Sequence, residues 1–305
     1  MVLSPGQQQD LRSLCGERIG FDVDMARHCT LRAGGRAAAL AEPDSVEQAS
    51  RLIRYLSGQD IAWRSIGRGS NLLVRDAGYP GVLIRFAGRG CRPGETDPDQ
   101  VKVESGCMLA GLLGFCQRQG LTGLEFLAGI PGTVGGAVRM NAGAFGGELS
   151  DYLSALSFIG PEGEDIRLTA GQWQAGYRTM TLPSLDWGRV LLLEATFTLS
   201  PGKTDEIMQR MDAYRQRRRA LRQPALPSAG SFFKNPPGDF AGRLIELTGL
   251  KGMRVGGAMV SGEHANFIVN DGGASASEII ALMELVQEKV AARTGIFLEP
   301  EVHIL

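Results

Sequence analysis

Residues 129–147 read GIPGTVGGAVRMNAGAFGG, with glycine at positions 129, 132, 135, 136, 143, 146 and 147. Few large side chains interrupt them, so the stretch is poorly suited to building a core element unaided. Ordering so flexible a segment has a large entropic cost unless something packs against it, and a bound cofactor is the economical partner. Gly129, Ile130, Pro131, Gly132, Thr133, Gly135 and Gly136 form its first half. In the second, Asn141 with its small neighbours Ala142 and Gly143 can offer an amide and close backbone contact to a flat ring. The plain alternative is a set of tight turns that need positive φ.

The surrounding sequence shares the bias. Glycine supplies 42 of 305 residues, about 14% and roughly twice the usual share. Twenty of them fall between residues 61 and 160, so the excess is local. No strict three-residue period accompanies it, which excludes collagen. Upstream, Gly67-Arg68-Gly69-Ser70-Asn71 follows the strand-like run IAWRSI. The dinucleotide fingerprint fails here, because Leu72 stands where its third glycine belongs. No Gly-Lys-Ser/Thr follows, so a P-loop fails too. What remains is a glycine turn with a hydroxyl and an amide, suited either to wrapping a pyrophosphate with backbone N–H groups or to joining two strands.

Farther out, periodicity and punctuation give alternating element types. Asp44 as N-cap with Glu47 three residues later opens a helix that Gly58 closes. Strands are expected at 61–66, 82–86, 101–104, 155–159 and 190–199. A helix is expected at 108–119, with Gly120 as its stop. Pro201-Gly202 marks a domain boundary. A helix then starts at Thr204 and ends in the basic run Arg215, Arg217, Arg218, Arg219, Arg222. A short helix is expected at 239–248. Ser275 and Glu278 form a capping box for a last helix, which Gly295 stops. A final strand is expected at 296–304. Without regular βαβ alternation the class is α+β.

Composition narrows the function classes. Thirty-two Lys and Arg against 33 Asp and Glu leave a net charge of −1, so a global electrostatic footprint for nucleic acid is absent. No run approaches the length of a membrane span, and the N-terminus lacks the layout of a signal peptide. Five cysteines, odd in number and without CxxC, fit a reducing cytoplasm. Three distant histidines give no zinc motif, and no metal site is expected.

GRGSNLLV together with GLEFLAGIPGTVGGAVRMNAGAFGGE resembles the flavin-binding half of the UDP-N-acetylenolpyruvoylglucosamine reductase (MurB) family. Further family marks follow in order: Gly176-Tyr177-Arg178, the run SAGSFFKNP at 228–236, the stretch from Leu250-Lys-Gly252 to HANFIVN at 264–270, and LEPEV at 298–302. The resemblance covers about residues 21–305. It implies an FAD-binding domain of the PCMH/vanillyl-alcohol-oxidase type over 1–200, with subdomains near 1–100 and 101–200. A smaller α+β substrate-binding domain is implied over 201–305.

The implied reaction is cytoplasmic, in peptidoglycan precursor synthesis. NADPH reduces FAD, and hydride then passes to the β-carbon of UDP-N-acetylglucosamine enolpyruvate. By resemblance, Arg178 and Glu301 stabilise the developing enolate and Ser231 protonates the α-carbon, for which it needs help from Lys234, Arg178 or water. Gly67 to Asn71 and the glycine-rich run are assigned to FAD. Tyr177, Arg222, Lys234, Asn235 and His264 are assigned to the substrate side. The basic run at 215–222 is either a solvated helix end or an attractor of the UDP diphosphate.

Two departures from the family pattern stand out: Met180 where serine is usual, and His303 where arginine is usual. Only 53 positions separate Arg178 from Ser231, as in a shorter subtype lacking a tyrosine-bearing loop. A monomer or weak oligomer acting on small molecules is expected. The competing readings are another FAD-linked oxidoreductase acting on a 2-hydroxy acid, and a non-catalytic nucleotide-binding module.

Overall fold

A computed structural model describes residues 3–95, 97–221 and 224–305. The chain divides into two compact units, each assembled from separated stretches of sequence. The first comprises Met1–Phe21, Ala38–Arg68 and Pro80–Arg217; the second comprises Asp22–Ala37, Gly69–Tyr79 and Arg218–Leu305. In this division the later part of the chain is cut at 217/218, within helix α5 (Thr204–Ala220), whereas a Pro-Gly boundary near 200 is expected from sequence. The cause is apolar: Ile207 and Met211 of α5 are buried in the core of the first unit. The helices are α1 Pro5–Cys15, α2 Val46–Gly58, α3 Leu109–Gln119, α4 Val134–Arg139, α5 Thr204–Ala220, α6 Ala241–Leu247 and α7 Ala276–Thr294. Among the described residues, no helix is long and apolar enough to cross a membrane.

The first unit has two cores. In one, α1 and α2 pack Leu11, Leu52, Ile53 and Leu56 against Trp63, Val82 and Ile84 of a small sheet. That sheet runs Ile19–Asp24, Arg36–Ala41, Tyr79–Ile84, Trp63–Ser65, and its last two strands are parallel. The cap of α2 differs from expectation by one residue. The Ser45 side chain accepts the Gln48 N–H at 3.2 Å, whereas Asp44 pairs with Arg18 at 2.6 Å. In the second core, α3 and α4 cover a five-stranded antiparallel sheet ordered Asp165–Thr169, Leu153–Ile159, Leu191–Thr198, Gln100–Glu104, Cys91–Pro93. The strand Leu191–Thr198 lies in the middle of this sheet with both neighbours paired, consistent with its almost wholly apolar sequence. Gly120 closes α3 in the left-handed conformation, φ 64°.

In the second unit, α6 and α7 pack on a three-stranded sheet of Arg254–Val255, Ala258–Val260 and Ile268–Asn270. The capping box of Ser275 and Glu278 on α7 is present, and Gly295 ends that helix at φ 72°. Two early segments complete this core with Leu31, Ala33 and Leu73. Side chains hold them there. Asn270 donates to the carbonyls of Leu31 and Arg32 at 3.0 and 3.1 Å, and Asp76 accepts the N–H groups of Ala276 and Ser277 at 2.9 and 2.8 Å. The expected final strand contracts to His303–Ile304, parallel to Leu72–Leu73. Residues 299–301 bond instead to 232–234, which puts a break in the ladder.

Candidate active site

In the first unit the two glycine-rich stretches meet. The Trp63–Ser65 strand delivers Gly67, and a side chain there would contact Thr133 Oγ1 at 3.4 Å and Gly136 Cα at 3.9 Å. Segment 105–109 templates the second stretch. The Cys107 carbonyl accepts the Val134 N–H at 2.9 Å, the Ser105 carbonyl accepts that of Gly135 at 2.8 Å, and the Gly132 carbonyl accepts that of Leu109 at 3.1 Å. Buried Thr133 sits at the start of α4 without capping it through its side chain.

The glycines here serve different ends. Gly129 and Gly132 have φ of 82° and 128°, so the backbone itself requires them. At Gly135 a Cβ would stand 3.0 Å from Ser105 Cβ, a packing requirement. Gly67 and Gly136 have neither reason. Their φ is not positive and the nearest atoms allow a methyl group. Gly136 is also a weak helix former inside α4. Two facing glycines that the protein does not need leave a bare-backbone cradle, which fits the pyrophosphate of FAD. Arg68 is exposed at its edge, and Ile130 and Pro131 are partly or fully exposed along it.

The second half of the stretch has another use. Asn141, 1% exposed with φ 40°, donates to Glu148 Oε2 at 2.8 Å and to the Gly176 carbonyl at 3.1 Å, and accepts the Ser150 N–H at 2.9 Å. Its amide is thus engaged inside the protein, where the expectation has it facing a flat ring. Ala142 is buried with it, and the Gly143 carbonyl accepts Arg178 Nη1 at 2.8 Å. Gly176 pairs with Thr179 in a hairpin of Gln174–Gly176 and Thr179–Thr181, leaving Tyr177 and Arg178 as its two-residue loop. Arg178 has φ 56°, a conformation that L-residues seldom adopt and that function often explains. Asn141 and Gly143 therefore both hold this hairpin, one at the Gly176 carbonyl and the other at the Arg178 guanidinium. Tyr177 is exposed, and the Arg178 guanidinium lies 5.4 Å from its ring centroid. Met180, where the family has serine, is buried in the apolar core.

The basic run is partly engaged. Arg215 pairs with Asp212 at 2.7 Å, and the Arg217 guanidinium lies 4.7 Å over Phe145, which also stacks on Tyr214 at 5.2 Å. Upstream on α5, Arg210 bonds Glu125 at 3.0 Å. Burial would raise the Glu125 carboxyl, but hydrogen bonds from Thr122, the Gly123 N–H and Arg210 hold it below its ordinary range. Arg222 lies outside the described residues.

The second unit brings Ser231 and Glu301 onto adjacent segments. The Glu301 N–H donates to the Phe232 carbonyl at 2.8 Å, and the Lys234 N–H donates to the Glu299 carbonyl at 2.9 Å. Asn266, part of the HANFIVN run but assigned no role there, locks this register. Its carbonyl accepts the Phe232 N–H at 2.7 Å, and its side chain exchanges bonds of 3.0 and 2.8 Å with the Phe233 backbone. Asn71 joins from the other side. Its Nδ2 donates to the Glu301 carbonyl at 3.0 Å and its carbonyl accepts the His303 N–H at 3.1 Å. Gly69 is a packing glycine, because a Cβ would fall 2.0 Å from the His28 carbonyl oxygen at φ 72°. Ser70, beside it, is half-buried.

The remaining substrate-side residues have partners of their own. Lys234 Nζ pairs with Glu299 at 2.5 Å. Asn235 Oδ1 accepts the Ala241 N–H at 3.0 Å and so starts α6. His264 accepts the Asn266 N–H on Nδ1 at 3.2 Å and meets the Phe267 ring edge-on at 4.9 Å. Burial, with the Lys251 charge nearby, lowers its pKa below the ordinary imidazole value.

Two family models match the chain. A family model described as "FAD binding domain" matches residues 37–169. Another, "UDP-N-acetylenolpyruvoylglucosamine reductase, C-terminal domain", matches residues 222–305. The chain is 43% identical over 284 residues to the UDP-N-acetylenolpyruvoylglucosamine reductase of Nitrosococcus oceani, covering 93% of each. It is 40% identical to that of Pelobacter propionicus, covering 93% of this chain and 94% of the relative. The crystal structure of MurB from Thermus caldophilus superposes with a TM-score of 0.79 at 38% identity, covering 92% of this chain and 97% of that one.

Proposed function

The chain belongs to the UDP-N-acetylenolpyruvoylglucosamine reductase family of FAD-dependent oxidoreductases, and from that premise we propose how its own residues serve the reaction. The substrate is UDP-N-acetylglucosamine enolpyruvate, the product UDP-N-acetylmuramate, and the reductant NADPH. When bound, FAD would supply the hydride-transfer chemistry between NADPH and the enolpyruvyl β-carbon. The facing backbones at Gly67 and Gly136 would hold its pyrophosphate.

Hydride addition drives charge onto the substrate carboxylate, and that charge needs a fixed cation. Arg178 supplies it. The observation that supports this role is its strained, doubly mounted turn. A positive-φ arginine anchored through Gly143 and through the Asn141–Gly176 bond is held in place before substrate arrives. Glu301 works with Arg178 on the enolate, as a protonated acid or hydrogen-bond partner so that it does not repel it. Ser231 delivers the proton to the α-carbon. Asn266 and the Phe232–Glu301 bond fix Ser231 and Glu301 in register, so their spacing is set by backbone pairing. Tyr177 and His264 contact the substrate or nicotinamide. The protein works in the cytoplasm as a monomer or weak oligomer.

The test separates the half-reactions. The purified protein should be yellow, bleached by NADPH and reoxidised by the enolpyruvyl UDP-sugar. Ser231→Ala should leave flavin reduction intact and slow substrate reduction by at least about a hundredfold, the usual size of general acid catalysis. Equal loss in both half-reactions overturns the proton-donor role. A yellow protein that NADPH bleaches and the sugar cannot reoxidise would point to the 2-hydroxy-acid reading.

A further inference from the structure

Two cysteines outside the reaction chemistry lie against each other. Cys91 Sγ and Cys107 Sγ are 3.3 Å apart. Cys91 begins the edge strand Cys91–Pro93 and is half-buried, whereas Cys107 is 4% exposed in the turn that follows the neighbouring strand Gln100–Glu104. A disulfide requires about 2.05 Å between sulfurs. The thiols thus need to close by a little over an ångström, within reach of side-chain rotation and a small shift of an edge strand.

The environment differentiates the two. Their shared S–H···S contact eases ionisation of Cys107, assisted by the N–H of Leu112 and the Arg89 charge. The same contact holds the proton on Cys91, and burial acts in the same direction. Glu104 opposes a thiolate at either position. Two of the other cysteines differ. Cys15 and Cys116 are buried and held as thiols by desolvation, pushed up to about 11 and about 12 respectively. The exposed face of Cys91 gives a small oxidant its way in.

Cys107 is also tied to the cofactor cradle. Its carbonyl accepts the Val134 N–H, and the adjacent Met108 bridges to Thr133. Segment 105–109 forms the support on which residues 132–135 rest.

We propose that Cys91 and Cys107 are a redox-modifiable pair, which a hydroperoxide converts to a disulfide that loosens the hold on FAD. The Cys107 thiolate attacks the peroxide oxygen, the O–O bond breaks, and the alcohol (or water, from hydrogen peroxide) leaves after taking up a proton. Cys107 becomes a sulfenic acid. The Cys91 sulfur then attacks that sulfur, the S–O bond breaks, and water leaves carrying the Cys91 proton. The two sulfurs lose two electrons in all and the peroxide gains them. Closing the pair pulls the turn at Cys107 toward the edge strand, away from its register with Thr133 and Val134. The consequence for FAD rests on the cradle assigned above; the disulfide itself does not.

The experiment uses the FAD-loaded full chain, treated with hydrogen peroxide and then digested under conditions that trap thiols. The expected product is a cross-linked peptide pair containing Cys91 and Cys107, lighter by two hydrogen atoms, with Cys15, Cys29 and Cys116 still alkylatable. Dithiothreitol should reverse it. The peroxide-treated protein should release FAD several-fold faster, read by the recovery of free-flavin fluorescence, and Cys91→Ser should abolish both the cross-link and the faster release. Oxidation of Cys107 to the sulfinic acid without a cross-link, or uptake spread over all five cysteines, overturns the pair. A cross-link with unchanged FAD release overturns the coupling to the cradle. Failure of the untreated protein to hold FAD at all instead refutes the cradle assignment, leaving the mass measurement to judge the pair.

Discussion

Gly67 and Gly69 stand two residues apart in one short motif and have opposite reasons for being glycine. At Gly69 the chain has no room: φ is 72° and a Cβ would meet the His28 carbonyl oxygen at 2.0 Å. At Gly67 the chain has room, and the backbone faces Thr133 and Gly136 across space that a methyl group could occupy. The same contrast divides the longer stretch, where Gly135 is constrained by Ser105 and Gly136 is not. A glycine that the protein itself does not require marks where something else is expected. Glycine density locates the region; only the geometry sorts its members.

Substitution turns this contrast into measurements. Gly69→Ala should be the most damaging, combining overlap with backbone strain at a cost of about 4 kcal/mol, seen as a large drop in the denaturant midpoint. Asn141→Ala should rank next. It leaves the Gly176 carbonyl and the Ser150 N–H without their buried partner, costing about 2–3 kcal/mol, and it should reduce kcat as the mount of Arg178 loosens. Gly67→Ala should change stability by less than about 0.5 kcal/mol yet weaken FAD binding several-fold by fluorescence titration. If it unfolds the protein like Gly69→Ala, the contrast is broken.

The smallest effect concerns pH. His264 has its folded pKa lowered by burial, so between that value and the unfolded imidazole pKa of about 6.5 the unfolded chain binds more protons. Stability therefore rises with pH across this window and is fully regained above it. His264→Gln should flatten that slope in denaturant titrations at stepped pH.

Much of this was legible in sequence, where signals were local. Gly120 and Gly295 stop their helices in the left-handed conformation, and the capping box at Ser275 is in place. These depend on a few neighbouring residues. What escaped depends on partners distant in sequence. Asn141 is at once an amide suited to a ligand and an amide suited to Glu148, Gly176 and Ser150; spacing cannot choose between them. Lys234 likewise meets Glu299 across 65 positions. The strand expected over 296–304 fails for a similar reason. Its apolar pattern is real, but its hydrogen bonds are shared between residues 232–234 and Leu72–Leu73. The Pro201-Gly202 break punctuates the backbone without reporting where Ile207 and Met211 bury themselves.

The second unit draws its core from three separated stretches, Asp22–Ala37, Gly69–Tyr79 and Arg218–Leu305. This has a consequence for the order of events at the ribosome. Leu31, Ala33 and Leu73 are synthesised early, and the α7 side chains they pack with are translated some 200 residues later. At about 5–20 residues per second they wait roughly 10–40 s for their partners. A nascent chain must therefore keep these two segments from finding other company, and the unit they belong to closes only once the residues of α7 have been translated.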